Sequence, residues 1–305
     1  MSEPEQAAEG SEGFPRSSGR FEVVDYPGAG GAVLNAIDGF GLTIVGVFLD
    51  PKTNHVRSFM QAHFGKPTTI DPPGAVDTFA QGVNRFGFVV GDFVDAAGKR
   101  HGFRRTPHGR FQMVAVEGAA ETFPNGIDDL GRIAGSFRKQ AGGRLFGFVL
   151  SADGKKMTIV DVKGSTDTVA AGISNGGLVV GSASGGTAGG DEPFVLDLET
   201  GIIILVPCVP PLFPPDCNRK TAAIKVSSQK LPAALVGKSI RADGSEVGWV
   251  GDTTGAARLI DIPVPSTSNQ ALGISDTGDV VGGFTDPGGI QHGFRSRSAS
   301  VSGSR

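Results

Sequence analysis

The apolar runs along this chain are short, and they recur at a regular interval. Six of them end in glycine, at Gly46, Gly91, Gly135, Gly181, Gly237 and Gly282, and an aromatic follows 12 or 13 positions later each time: Phe59, Phe103, Phe148, Phe194, Trp249 and Phe294. Successive glycines are 45, 44, 46, 56 and 45 residues apart. A period of this length, made of short apolar runs and turn residues, predicts the blades of a β-propeller. No stretch keeps the 3.6-residue apolar period of a helix for more than about two turns, so the chain reads as all-β.

Each unit resolves into four antiparallel strands. The innermost is typified by Thr78–Asn84, with relatives at 122–128, 168–174 and 269–275. It ends in a turn of the form Asn/Asp/Ser-x-x-Gly (Asn84 to Gly87, Asp128 to Gly131, Ser174 to Gly177, Ser275 to Gly278), where the polar residue caps the turn and glycine takes positive φ. The second strand carries the repeated glycine, and the third carries the aromatic. The fourth reads Thr68–Asp71, Thr158–Asp161 or Leu259–Asp261. The aromatics fill the wedge between sheets, and the glycines are expected to admit close backbone approach where blades crowd at the axis. The last unit stops one strand short, while Phe21–Asp25 stands as a fourth strand without a blade. A single six-bladed propeller follows, with blades near 32–71, 77–115, 121–161, 167–206, 220–261 and 268–297, the last completed by strand 21–25 so that no open edge remains at the seam.

The runs Gly82 to Gly91 and Gly273 to Gly282, the His-Gly-Phe triplets at 101–103 and 292–294, and Ile70 to Pro73 with Ile260 to Pro263 resemble the HAF-type repeats of bacterial, mostly extracellular, proteins. The resemblance spans about residues 21–297. It implies a propeller-like fold and no agreed biochemical activity. In the other blades the histidine position holds Arg57, Phe146, Glu192 and Val247, so the resemblance implies no six-fold role for histidine.

Composition adds exclusions. A formal charge of −3 with scattered basic residues gives neither nucleic acid nor an anionic membrane surface a footprint. Residues 1–20 are acidic, small and polar, without the apolar core of a secretion signal, and read as a disordered leader; 298–305 reads as a similar tail. The most apolar stretch, residues 202–213, is too short and too rich in proline to span a bilayer, so a soluble monomer is expected. The family habit points outside the cell and the missing signal points to the cytoplasm; both placements stand.

Shared residues are committed to folding, so function is expected where one unit departs from the rest. The 56-residue interval is that place. Cys208 and Cys217, with four prolines between them, close a stiff loop as a disulfide, as two thiols or as a zinc pair, the last poorly supported because no His or further Cys lies near in sequence. Leu212, Phe213, Asp216 and Arg219 in and beside it, with Asp191 and Glu192 on the neighbouring loop, are the candidate ligand contacts. Asp77, Glu121 and Asp167 open the innermost strand of three consecutive blades, where they either bind calcium or another divalent cation or cap their loops. His55, His101, Asp216 and Arg219 are the candidates for acid–base work, although His101 and His292 occupy equivalent blade positions and read as packing residues. No P-loop, His-Glu-x-x-His or Cys-x-x-Cys occurs. The expectation is a binding scaffold for a small molecule, glycan or protein at the mouth of the axial channel. The alternative is an enzyme (a lyase, isomerase or hydrolase) with its site at the same mouth.

Overall fold

The computed structural model describes residues 20–63, 65–185, 191–206, 222–226, 233–241, 243–253 and 257–297. Among these, 24 strands form six four-stranded antiparallel sheets. Blade 1 contains β2 (Ala32–Ile37), β3 (Thr43–Asp50), β4 (His55–Ala62) and β5 (Thr68–Ile70). Blade 2 contains β6 (Ala75–Val83), β7 (Val89–Asp95), β8 (Arg100–Arg105) and β9 (Phe111–Val114). Blade 3 contains β10 (Glu121–Ile127), β11 (Ile133–Arg138), β12 (Leu145–Leu150) and β13 (Met157–Val160). Blade 4 contains β14 (Asp167–Ile173), β15 (Leu178–Ser184), β16 (Asp191–Asp197) and β17 (Ile203–Leu205). Blade 5 contains β18 (Ala222–Val226), β19 (Ala234–Ile240), β20 (Glu246–Asp252) and β21 (Ala257–Leu259). Blade 6 contains β22 (Ser268–Ile274), β23 (Val280–Thr285) and β24 (Gln291–Ser296), and β1 (Phe21–Val23) completes it.

The innermost strands β2, β6, β10, β14, β18 and β22 neighbour one another in turn, and β22 returns to β2, so the sheets close into a ring. At the seam β1 pairs antiparallel with β24, Phe21 opposite Ser296 and Val23 opposite Phe294. Phe21 stacks on Phe294 at 5.8 Å between ring centres. Just beyond β1, the Val24 amide donates to the Gly293 carbonyl, and Asp25 accepts from the Gly293 amide. Among the described residues no helix is long and apolar enough to cross a membrane.

The repeated glycine and aromatic are cross-strand partners in every blade: Gly46 with Phe59, Gly91 with Phe103, Gly135 with Phe148, Gly181 with Phe194, Gly237 with Trp249 and Gly282 with Phe294. All six aromatics are buried. This corrects the expectation that these glycines serve the crowding between blades. A β-carbon at Gly91 would lie 2.0 Å from the Phe79 carbonyl oxygen of its own blade, and one at Gly135 would lie 2.7 Å from the Phe148 ring. The cause is a bulge that interrupts the first strand pair of each blade, at Ala80/Gly82 in blade 2 and Pro124/Gly126 in blade 3, directly after the residue paired with the glycine. A bulge twists and bends its strand.

Crowding between blades falls on the residue after each bulge. A β-carbon at Gly82 would come within 3.0 Å of Gly126 Cα, one at Gly126 within 3.1 Å of Gly172 Cα, and one at Gly273 within 3.0 Å of Ala36 Cα. The turns that follow close as the sequence predicts. In blade 2 the Gly87 amide donates to the Asn84 carbonyl, the Asn84 side chain accepts from the Phe86 and Phe88 amides, and Gly87 has φ of +79°.

Candidate functional site

Four charged side chains, Asp92, Arg100, Glu121 and Arg138, line one cavity between blades 2, 3 and 4. On β10, Glu121, Phe123 and Asn125 lie two residues apart and so share one face of the strand. All three are half-buried, whereas the intervening Thr122 is buried. On β7, Asp92 follows the blade glycine and is buried, 3% exposed. Arg100, the first residue of β8, donates from Nη1 to Asp92 Oδ2 at 2.8 Å. Its guanidinium carbon lies 4.8 Å from the Phe79 ring centre and 5.7 Å from that of Phe123. Arg138, at the end of β11, donates from Nη1 to Glu121 Oε2 at 3.1 Å and stands 5.6 Å from the same Phe123 ring. Phe123 is therefore flanked by two guanidinium groups, each paired to its own carboxylate. These groups, with Gln81 and Asn125, line a cavity of about 450 Å³.

The two pairs sit at different depths. Burial pushes the Asp92 carboxyl up to about 6, Arg100 opposes that rise, and the nearby Glu121 charge adds to it. Glu121 itself is only half-buried and lies nearer to water. The pocket thus offers two donor forks, an acceptor carboxylate, a carboxyl that gains or loses its proton in the mildly acidic range, two amide side chains and an aromatic ring. Such a set matches a polyhydroxylated molecule, with guanidinium, carboxylate and amide groups taking hydroxyls.

Of the expected metal triad, only Glu121 enters this pocket. Asp77 accepts the Val56 amide at 2.8 Å and meets His55 Nδ1 at 3.2 Å, tying blade 2 to strand β4 of blade 1. Asp167 makes the matching bond to the Leu145 amide at 2.7 Å, tying blade 4 to blade 3. Among the described residues no three or more His, Asp and Glu side chains converge as a metal-binding group.

His101 bonds Asp95 at 2.8 Å and lies 5.1 Å from the Phe93 ring, and His292 packs the same way against Phe284 at 5.2 Å. Asp191 and Glu192 open β16 and are half-buried, with Ser184 donating to Asp191. Cys208, Leu212, Phe213, Asp216, Cys217 and Arg219 lie outside the described residues.

Sequence reasoning missed Asp92, Arg100, Phe123 and Arg138. Phe123 lies in the repeated innermost strand, where blade 2 has Phe79, but Asp92, Arg100 and Arg138 recur in no other blade, and each gains meaning only from a neighbour in another strand or blade.

No family model matches the chain, and no curated protein matches it. Solved structures do. TolB from Acinetobacter baumannii superposes with a TM-score of 0.58 at 11% identity, over 88% of this chain and 64% of that one, so the chain spans less than two thirds of that TolB. AofleA from Arthrobotrys oligospora gives 0.55 at 13% identity over 92% and 90% of the two chains. A point mutant of the Aleuria aurantia lectin, solved in complex with α-methyl-L-fucoside, gives 0.53 at 13% identity over 89% and 91%. At these identities the likeness is one of fold: the chain is a six-bladed β-propeller similar in fold to TolB, AofleA and the Aleuria aurantia lectin.

Proposed function

We propose that the protein is a glycan-binding propeller whose site is the pocket around Phe123. The observation that carries this reading is the pair of guanidinium groups flanking one half-exposed ring, each anchored by a carboxylate. Anchoring removes much of the rotamer freedom that an arginine otherwise loses on binding. The Aleuria aurantia lectin, a structure of the same fold, holds α-methyl-L-fucoside, which supports the ligand class without naming the sugar.

The test is calorimetric titration with α-methyl-L-fucoside, galactose and glucuronate, on the parent protein and on Arg138→Ala and Phe123→Ala. Saturable binding of at least one sugar, weakened tenfold or more by either substitution, is the expected result. Binding by none of the three, or binding unaffected by both substitutions, overturns it. Circular dichroism on the variants separates lost binding from lost fold.

One observation favours a second reading. A carboxyl raised to about 6 beside a second carboxylate is the usual arrangement for general acid catalysis on a glycosidic substrate. In that case Asp92 gives the proton and Glu121 serves as the anionic partner. Asp92→Asn then abolishes turnover while leaving sugar binding in place.

A further inference from the structure

The residue after the bulge of the innermost strand is Gly82, Gly126, Gly172 and Gly273 in four blades and Ala36 in a fifth, but in blade 5 it is Lys225. Where four blades bring bare backbone together, this one sends in the longest amine available. Lys225 Nζ donates to the Asn125 carbonyl of blade 3 and, at 3.0 Å, to the Ala171 carbonyl of blade 4. It thus reaches across the axis rather than along its own sheet. The amine borders a cavity of about 60 Å³, whose wall also includes turn residues Asp129, Asn175 and Asp276. This cavity lies at the end of the innermost strands where they enter their turns, away from Glu121 at the other end of β10.

We propose that Lys225 is a carbonyl-capturing nucleophile that forms a Schiff base with a short, uncharged hydroxyaldehyde in this axial cavity. A neutral amine has two N–H groups and one lone pair. With both N–H groups given to the Asn125 and Ala171 carbonyls, the lone pair is left for the cavity that the amine lines. Among the described residues no third acceptor for an ammonium is found. Burial also pulls the Lys225 ammonium down to about 7, so the nucleophilic form is well populated near neutral pH.

In the reaction the nitrogen lone pair attacks the aldehyde carbon, and the carbonyl π pair moves to oxygen, which receives a proton from nitrogen. The carbinolamine then takes one proton from solvent and loses water, leaving a protonated imine. The product keeps a positive charge and one N–H beside backbone carbonyls, which favour a cation. A carbamate or other anionic adduct would put negative charge against those same oxygens. Size limits the partner to a few heavy atoms. Three carboxylates line the wall, Asp128 paired with Arg132 at 2.6 Å, Asp129 with Arg85 at 3.4 Å, and Asp276; together they keep it acidic and select against an anionic aldehyde.

The experiment is reductive trapping of the full chain with glycolaldehyde and cyanoborohydride, followed by peptide mapping across pH 6 to 9. Lys155 and Lys156 are exposed and serve as internal references. The expected result is labelling of Lys225 at least tenfold faster than either reference at pH 7, levelling off above that pH while the references continue to accelerate. Glyoxylate should label Lys225 at least fivefold more slowly than glycolaldehyde does. Labelling of Lys225 no faster than the references, or a rate that keeps rising to pH 9 as theirs does, overturns the proposal. Lys225→Arg, which keeps the charge, should remove this one fast adduct from the intact mass.

Discussion

Asp92 gives the most direct handle on the pocket, because its carboxyl is buried and its proton is held into the mildly acidic range. The perturbation is Asp92→Asn, which keeps the shape and removes the charge. In the unfolded chain the carboxyl ionises near 3.8, and in the fold near 6. Between those values the native state holds a proton that the unfolded state has released, so stability falls as pH rises through this window. The raised folded value means that the benefit is complete below pH 3.8 and gone above pH 6. The difference corresponds to about 3 kcal/mol, already net of the attraction to Arg100. The amide of the variant carries no such dependence. Urea denaturation of both proteins at half-unit steps from about pH 3.5 to 7.5 should show the variant gaining on the parent by about 3 kcal/mol across the window, then running parallel to it. A stability difference that stays flat over that range would falsify the assignment of a buried, proton-holding carboxyl, and with it the reading of Asp92 as an acid.

Two further predictions concern the scaffold. Gly91→Ala drives a methyl into the Phe79 carbonyl, so it should cost at least about 3 kcal/mol, whereas Gly98→Ala, at φ of +76° in open space, should cost only about 1 kcal/mol; thermal melts of the two variants check the contrast. His292 bonds Asp25 at 2.8 Å and faces Asp286 at 3.5 Å, and the Asp25 bond holds its imidazolium above the ordinary histidine value. Its contribution to the seam is full below pH 6.5 and lost as pH rises through the folded value, so His292→Gln should lower the melting temperature at about pH 5.5 and leave it nearly unchanged at about pH 9; equal losses at both pH values would refute the coupling.

The architecture was legible because the features that specify a blade are local. Each Asn/Asp/Ser-x-x-Gly turn is spelled out within four residues, and each glycine–aromatic pair lies within one hairpin. The orphan strand at Phe21 was legible for a similar reason, since it repeats the fourth-strand pattern. What the glycine does was not legible, because the bulge that turns the Phe79 carbonyl onto Gly91 leaves no mark in the spacing of apolar residues. The pocket was harder still. Arg100 and Phe123 are 23 residues apart and belong to different blades, and although blade 2 has Phe79 at the position of Phe123, no other blade has an arginine at that of Arg100. Lys225 went unread as well: it stands where four other blades have glycine, but the greater length of its unit hides that equivalence until the bulges align the strands.

The seam has a consequence for how the ring is made. Phe21 and Ser296 are paired across 275 positions of sequence. Bringing such distant segments together costs about 5 kcal/mol in loop-closure entropy if the chain between is unstructured. Once blades 1 to 5 have formed, the two ends are already held side by side and most of that cost has disappeared. Strand β1 therefore emerges first during synthesis yet has no partner until β24 arrives last. Its pairing is a report that every intervening blade is in place, so the three residues of β1 act as a check on assembly.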